Sequence, residues 1–340
     1  MNKKLLALAV AAAMTAPMAA NADVTIYGKM HVSIDATDSS DSSDSDNTSI
    51  SSNSSRIGFK GSEDLGNGLK AVWQVENDTV LDEADGAKWA SRQSFLGLAG
   101  DFGTVAMGKL ETPFKLMNVN PFGDTIGDNR ALLGTNNDTS HTFNMRTKNT
   151  IAYISPNMGG VSVIGAYVTD HTNDTSAEDD NNTDAFSASV KYKSGGLMLG
   201  GAFERHNFST SGTVDGLRLA ASMTMGATMA GFVWENTDGQ TDHDRDAWTV
   251  ALTQGFGNNK IKAAYTTVNE SSNNLDEASM WAIGLDHVMS KRTTVYGMYS
   301  SLTNDDNSAR QLGVAGHGDK LTSVSGGDQS GFSMGLVHTF

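Results

Sequence analysis

Hydrophobic and polar residues alternate along many short segments of this chain. In residues 24–35, Val24 and Ile26 share one face, whereas Lys29 and Asp35 share the other. A period of two places successive side chains on opposite faces of a β-strand. The same division recurs in three further segments: 69–76, 248–253 and 281–286. The pattern predicts strands with one apolar and one polar face, which occur both in soluble sheets and in membrane barrels.

The connections between these segments are of two kinds, short and long, which alternate along the chain. Seven are short turns: 64–68, 100–103, 156–160, 193–196, 224–226, 255–259 and 290–292. Eight are long and polar: 36–54, 78–90, 110–147, 170–183, 207–213, 237–245, 269–278 and 302–328. Fifteen connections join sixteen strands, and an even strand number with short turns at one end and long loops at the other is typical of bacterial outer-membrane barrels. The sequence therefore predicts an all-β fold, a sixteen-stranded antiparallel transmembrane β-barrel with short periplasmic turns and long extracellular loops.

Alternation is weak in two early segments, 93–99 and 103–109, where glycine, alanine and leucine occur on both faces. Small residues permit close approach of a neighbouring surface. We expect the outside of these strands to pack against another subunit.

Residues 1–22 have the composition of a secretory leader. Lys3 and Lys4 precede an apolar run from Leu5 to Met14, and Ala20-Asn21-Ala22 offers a small-residue cleavage site. The run is too short to cross a membrane as a helix, which needs about 20 residues. We expect a signal peptide at 1–22 and a barrel domain at 23–340.

Composition narrows the class of the exported chain. It contains no cysteine, so disulfides do not stabilise it, and it has only four prolines but 36 glycines, as suits paired strands and tight turns. The formal net charge of −15 becomes −17 without the two lysines of the leader, which argues against nucleic acid as a partner.

Motifs for catalysis or metal binding are weak. Gly331, Ser333 and Gly335 match G-x-S-x-G, but only five residues follow, too few for the helix, acid and histidine of a hydrolase site. The acid-rich stretches lack the glycine and distal glutamate of an EF-hand loop: Asp38, Asp41, Asp44 and Asp46, and Glu178, Asp179 and Asp180. We expect no catalytic residues, no metal site and no cofactor. One hypothesis is that carboxylates in these loops bind divalent ions together with the phosphates of lipopolysaccharide.

Several motifs resemble one known family. They are Ser55-Arg-Ile-Gly-Phe-Lys-Gly-Ser-Glu-Asp-Leu-Gly-Asn-Gly-Leu-Lys70 with Ala-Val-Trp-Gln-Val-Glu76, Ser91-Arg-Gln-Ser-Phe-Leu-Gly-Leu98, Phe102-Gly-Thr-Val105, Asn149-Thr-Ile-Ala-Tyr-Ile-Ser-Pro156 and the terminal Phe340. With them the chain resembles the general diffusion porins of Gram-negative outer membranes. The resemblance implies a homotrimer with three pores, a third loop folded inward, and a C-terminal strand that the barrel-assembly machinery recognises. It also implies outer-membrane lipid and lipopolysaccharide as surroundings.

The resemblance also suggests pore residues. Residues 110–147 would be the inward constriction loop, in which Asn120-Pro-Phe-Gly-Asp124 replaces the family's Pro-Glu-Phe-Gly turn. Candidate acids for one side of the constriction are Glu111, Asp124 and Asp128. Candidate basic residues on the opposite wall are Arg56, Arg92 and Arg146, with Lys70 as a weaker one. Acids facing arginines in a narrow wet space select ions and orient dipolar solutes.

Two rival functions remain open on sequence alone. One is a surface adhesin or receptor that the barrel merely anchors, and the other is a secreted carbohydrate-binding or hydrolytic β-protein. The sign of ion selectivity is open too, because the total charge favours cations whereas an arginine wall favours anions. The narrowest region carries more weight than the outer loops, and this favours anions or little discrimination.

Overall fold

The structure is a computed structural model, and it describes residues 23–40, 47–82, 89–134, 143–170, 183–208, 212–238, 245–269, 277–319, 321–322 and 324–340. The predicted signal peptide at 1–22 lies outside the described residues.

One antiparallel sheet contains all the strand segments of the described chain. They are β1 (Asp23–Ser39), β2 (Asn47–Ser52), β3 (Arg56–Gly66), β4 (Leu69–Asp78), β5 (Ser94–Gly100), β6 (Gly103–Glu111), β7 (Arg146–Ile154), β8 (Val161–Val168), β9 (Ala185–Ser194), β10 (Leu197–Phe208), β11 (Gly212–Met225), β12 (Thr228–Asp238), β13 (Arg245–Phe256), β14 (Asn259–Val268), β15 (Ala278–Val288), β16 (Thr293–Asn304) and β17 (Gln329–Thr339). From β3 to β17 each strand pairs with the next along the chain, β2 and β3 both pair with β1, and β17 returns to pair with β1. The sheet is therefore a closed barrel.

The barrel has sixteen strands within the described chain because β2 and β3 are two pieces of a single strand. Both pair with β1, β2 beside its C-terminal half and β3 beside its N-terminal half. The interruption lies at Asn53, Ser54 and Ser55, where Ser54 has a positive φ of 50°. This confirms the predicted sixteen-stranded antiparallel barrel.

Side-chain exposure shows which face of the sheet is outside. In β15, Trp281, Ile283 and Leu285 are nearly half exposed, whereas Met280 and Ala282 are buried. A soluble protein would bury the large apolar side chains instead. The apolar face is outside, as in a barrel surrounded by lipid.

The turns at one end follow local sequence chemistry. Asn67 and Gly68 join β3 to β4, and both have positive φ values, 53° and 79°. A two-residue hairpin turn of this type requires positive φ at both positions, which Asn-Gly accepts readily. The short turns and the long loops lie at opposite ends of the barrel, as predicted.

Two of the long connections contribute to the interior of the barrel. Loop 3 is the connection 112–145 between β6 and β7, and it includes a short 3₁₀ turn at Asn129–Ala131. Loop 8 is the connection 305–328 between β16 and β17.

No helix in the described ranges is long and apolar enough to cross a membrane.

Candidate functional site

Loop 3 lies inside the barrel, against the inner wall. Its apolar side chains pack over inward-facing glycines, so that a Cβ at Gly231 would lie 2.4 Å from Val119 Cγ1 and one at Gly284 would lie 3.0 Å from Phe122 Cε1. Further contacts of this kind occur at Gly200 with Met117, at Gly216 with Phe114 and Phe143, and at Gly331 with Ile126. Such distances leave no room for a side chain on the wall. Loop 3 therefore rests on five glycines of the wall: Gly200, Gly216, Gly231, Gly284 and Gly331.

Arg218 of β11 and its partner Glu235 hold loop 3 at Phe114 and Gly134. The guanidinium of Arg218 lies 4.2 Å from the ring centroid of Phe114, and Nη1 donates to the Phe114 carbonyl at 3.2 Å. The Arg218 Nε donates to Glu235 Oε2 at 2.7 Å, and Glu235 Oε1 accepts from the Gly134 N–H at 2.6 Å. Both charged side chains are buried. A buried charge is tolerated only when it is paired and hydrogen-bonded, as here.

A polar cavity of about 410 Å³ lies on the other side of loop 3, between it and the opposite wall. Its lining comes from the wall strands, loop 3 and loop 8. The lining residues are Ser54, Arg56, Arg92, Glu111, Lys115, Leu116, Asn118, Asn120, Gly123, Asp124, Arg130, Arg146, Ala315 and Gly316. Five of the seven candidate residues predicted from the sequence are among them.

Glu76 of β4 orients two of the predicted arginines. Arg92 Nε donates to Glu76 Oε1 at 2.5 Å, and Arg92 Nη1 donates to Asp78 Oδ1 at 2.8 Å. Arg56 Nε lies 3.7 Å from Glu76 Oε2, which also accepts from the Tyr27 hydroxyl at 2.9 Å. These contacts fix two cations side by side on the wall.

Glu111 pairs with one cation from the wall and one from loop 3. Arg146 Nη2 donates to Glu111 Oε1 at 2.8 Å, and Lys115 Nζ lies 3.1 Å from the same oxygen. Burial lowers the pKa of Lys115 below its ordinary value, although the charge of Glu111 partly offsets this effect. Lys115 is therefore the loop cation whose charge is the more sensitive to alkaline pH.

Asp124 joins the tip of loop 3 to β1. Lys29 Nζ donates to Asp124 Oδ2 at 2.7 Å, and Arg130 Nη2 donates to Oδ1 at 2.9 Å. Burial alone would raise the pKa of Asp124, but the charges of Lys29 and Arg130 outweigh it and hold that pKa well below its usual range. The pKa of Arg130 is raised, because its carboxylate partners outweigh the effect of burial. Asp124 and Arg130 are therefore charged at neutral pH.

The other two candidate residues lie elsewhere. Asp128 is buried within loop 3, where its carboxylate accepts from the backbone N–H groups of Asp124 and Arg130 at 2.8 and 2.9 Å and does not line the cavity. It shapes the loop tip. Lys70 is exposed at the start of β4, next to the turn formed by Asn67 and Gly68. Lys70 is remote from the cavity, because the polar face of β4 continues to the end of the strand at the short turns.

Contrary to the expectation from sequence, the charges do not divide into an acidic loop and a basic wall. Loop 3 contributes cations of its own, Lys115 and Arg130, and each lining carboxylate is paired with a cation. Among the described residues that line the cavity, five side chains are cationic and two, Glu111 and Asp124, are carboxylates. Cations therefore outnumber carboxylates on the lining itself, and three of these cations, Arg56, Arg92 and Arg130, are also paired with carboxylates that do not line the cavity: Glu76, Asp78 and Asp128.

Sequence reasoning missed three cations of this site: Lys29, Lys115 and Arg130. For Lys29 the sequence does offer a signal, because Lys29 shares the polar face of β1 with His31 and Asp35. Lys115 and Arg130 lie in a loop without periodicity, so only the folded loop shows which way they face.

Acidic and imidazole side chains are spread out in the described part of the chain. Within those ranges, no group of three or more His, Asp or Glu side chains is arranged to hold a metal ion. The acid-rich stretches at 41–46 and 178–180 lie outside them.

The sequence matches the family described as Gram-negative porin over residues 7–307. Two relatives illustrate the similarity. The major outer membrane protein P.IB of Neisseria meningitidis serogroup B is 35% identical over 216 residues, which are 61% of this chain and 60% of that protein. The outer membrane porin protein 32 of Delftia acidovorans is 28% identical across the full length of both chains. The match thus spans less than two thirds of the Neisseria protein.

Solved structures share the fold. An anion-selective porin from Comamonas acidovorans has a TM-score of 0.79 at 24% identity, with 94% of this chain and all of that chain covered. OmpT of Vibrio cholerae, in a structure described as a trimer form, has a TM-score of 0.68 at 17% identity and covers 94% of this chain and 99% of its own. At these identities, the similarity concerns architecture.

Proposed function

Because this chain belongs to the Gram-negative porin family, we propose that it forms a water-filled channel across the outer membrane for passive diffusion of ions and small hydrophilic solutes. The barrel supplies a wall with an apolar outside, and loop 3 narrows its interior. Solutes cross by diffusion, and no bond is made or broken. The loop region 110–147 thus serves as the constriction.

One observation carries the proposal: the polar cavity beside loop 3, lined by Arg56, Arg92, Arg146, Lys115 and Arg130. Charged side chains that converge on a lumen, and not on a lipid-facing surface, are typical of a pore. Fixed charges in a narrow space with low-dielectric walls focus the field and raise the local concentration of counter-ions.

We further propose that the channel is selective for anions. Five cations face two carboxylates around the cavity, as counted over the described lining residues, although the whole chain has a formal net charge of −15. A permeating ion meets the constriction at contact distance, whereas charges more than about 8 Å away are largely screened at physiological salt. The related Comamonas porin, which is described as anion-selective, supports this choice.

The proposal assigns no catalysis to the chain. Family and relatives are porins, and Ser333 of the G-x-S-x-G match belongs to β17, a strand at the end of the chain. A nucleophile elbow would need a helix directly after the serine. No cofactor is required for diffusion.

We extend the proposal to assembly and surroundings. The chain forms homotrimers in outer-membrane lipid and lipopolysaccharide, and the barrel-assembly machinery recognises its C-terminal strand. The exposed Leu96, Leu98 and Met107 on the outer face of β5 and β6 support a subunit contact, because a second subunit would bury them. The 1–22 segment serves as the signal peptide.

An anchored adhesin or receptor is the competing function. It needs loops directed outward and has no use for a loop that packs on the inner wall or for charges around an internal cavity. The contacts of loop 3 with Gly231 and Gly284 therefore favour the channel.

The decisive experiment is electrical. Purified protein is inserted in a planar bilayer, its single-channel conductance is recorded, and its reversal potential is measured across a salt gradient. We expect conductance steps in groups of three and a reversal potential of the sign set by anions. A bilayer that stays silent, although protease protection shows inserted protein, would contradict the channel and favour the anchored adhesin.

A further inference from the structure

Loop 8 also enters the barrel. Leu312 is fully buried, and its N–H donates to Gln329 Oε1 at 2.8 Å. At the base of the loop, the Asn304 amide donates to the Arg310 carbonyl at 2.9 Å. Two buried amides of β16 and β17 thus direct the chain inward.

The segment 313–319 of loop 8 is then fastened to β1 and to the break between β2 and β3. His317 Nε2 lies 3.0 Å from Asp35 Oδ2, and His317 Nδ1 lies 2.6 Å from the Asp319 carbonyl oxygen. The Gly318 N–H donates to Asn53 Oδ1 at 3.0 Å. Both ring nitrogens of His317 therefore lie within hydrogen-bond distance of an oxygen atom.

The fastened segment meets the tip of loop 3. A Cβ at Gly316 would lie 1.9 Å from Asp124 Oδ1 and 2.6 Å from Ser54 Oγ, so the Gly316 backbone packs directly against the carboxylate that binds Lys29. Ala315 is exposed beside it and lines the same cavity as the arginines. Its positive φ of 66° turns the chain at this point.

We propose that residues 313–319 of loop 8 form a second wall of the constriction and set its width and charge together with loop 3. Ala315 is a specificity-determining position, and His317 is a positioning residue that holds the wall through Asp35. The inference rests on the proposed channel function. The sequence of this segment, Gly-Val-Ala-Gly-His-Gly-Asp, contains no arginine, whereas the wall residues of the site were predicted from arginine-containing motifs.

The natural chain has no cysteine, so a single introduced thiol is a unique target. The test compares Ala315→Cys with Asn307→Cys, a matched site in the same loop that does not line the cavity. Each variant is labelled in the bilayer with an anionic and, separately, a cationic methanethiosulfonate. For Ala315→Cys we expect lower conductance with both reagents, and shifts of the reversal potential in opposite directions. Asn307→Cys should change little.

Outcomes separate this inference from the channel itself. Suppose that the wild-type protein conducts and that mass spectrometry shows Ala315→Cys to be labelled. An unchanged current and reversal potential of the labelled variant would then contradict the second wall but not the channel. Failure of the thiol to react from the lumen also overturns the second wall. A wild-type protein without current contradicts the channel function instead.

A second variant tests the fastening. His317→Ala should raise the single-channel conductance and admit larger neutral sugars in a liposome-swelling assay, whereas His287→Ala, near the short-turn end, should not. An unchanged conductance and sugar cut-off in a correctly folded His317→Ala protein would contradict the positioning role. If that variant does not fold, the thiol-labelling result decides the proposal.

Discussion

Val119 of loop 3 packs directly over Gly231 of the barrel wall, and only 2.4 Å separate its Cγ1 from the position of a Cβ at residue 231. A valine side chain has little rotational freedom to avoid such a contact. The inner wall is therefore shaped by the residues of loop 3 as much as loop 3 is shaped by the wall.

Gly231→Ala should displace loop 3 from the wall and into the lumen. We expect a lower single-channel conductance and a destabilisation of about 1–3 kcal/mol, the usual cost of overpacking. The measurements are bilayer conductance and thermal unfolding in detergent. Gly165→Ala is the matched control, because a Cβ there meets no atom within 4 Å. Equal effects of the two substitutions would contradict the packing role of Gly231.

Arg92→Ser should lower the ratio of anion to cation permeability. The substitution removes one cation and also leaves Glu76 and Asp78 without their partner. A unit charge about 4 Å from a permeating ion contributes about 1 kcal/mol even in water, so the ratio should fall by about fivefold or more. Reversal potentials in a salt gradient measure it. Arg205→Ser, which breaks an exposed pair with Asp215, is the control, and an equal shift there would refute a local effect.

The anion preference should weaken at a pH below the ordinary pKa of lysine. The pKa of Lys115 lies below the ordinary lysine value of 10.5, because burial disfavours its charged form. Its charge is present below that lowered pKa and is lost as pH rises through it. Reversal potentials from neutral pH toward pH 10.5 record the change. Lys115→Gln should have a smaller anion preference at neutral pH and a flatter pH profile, and an unaltered profile would exclude Lys115 as its source.

Arg218→Ala should loosen loop 3 and destabilise the barrel. It leaves Glu235 buried without its cation, and breaking a buried pair in this way costs about 3–5 kcal/mol. Replacing both partners, Arg218→Met with Glu235→Leu, should recover much of the stability but lose the contact with Gly134. Unfolding in denaturant gives the free energies, and current noise reports loop motion. A single variant as stable as the double variant would contradict the pairing argument.

The sequence predicts the barrel well for a physical reason. Whether a strand residue faces lipid or lumen is encoded locally by alternation, as in Trp281, Ile283 and Leu285, and turn chemistry such as Asn67-Gly68 is local too. The strand segment β2 was not predicted, because it lies within the connection expected at 36–54, where the polar sequence of Asn47–Ser52 gives little apolar alternation and only pairing with β1 reveals the strand.

The site is harder to predict because its contacts join distant parts of the chain. Arg56, Arg92 and Arg146 are found from motifs, and they do line the cavity. Asp128 has the right residue type and loop, but a backbone hydrogen bond decides its direction. Loop 8 reads as another polar connection, since its contact between His317 and Asp35 spans 282 residues.

The pairing of Lys29 with Thr339 and the hydrogen bond from the Gly28 N–H to the Phe340 carbonyl have a consequence for folding. The first and last strands meet only when the whole chain is available, so barrel closure is the most non-local event of folding and is expected to be slow. Until then, β1 and β17 are two unpaired edges, each a template for association with another chain. A chain whose barrel has not yet closed is therefore prone to aggregate, and the yield of folded protein depends on how long those two edges are kept apart from other strands.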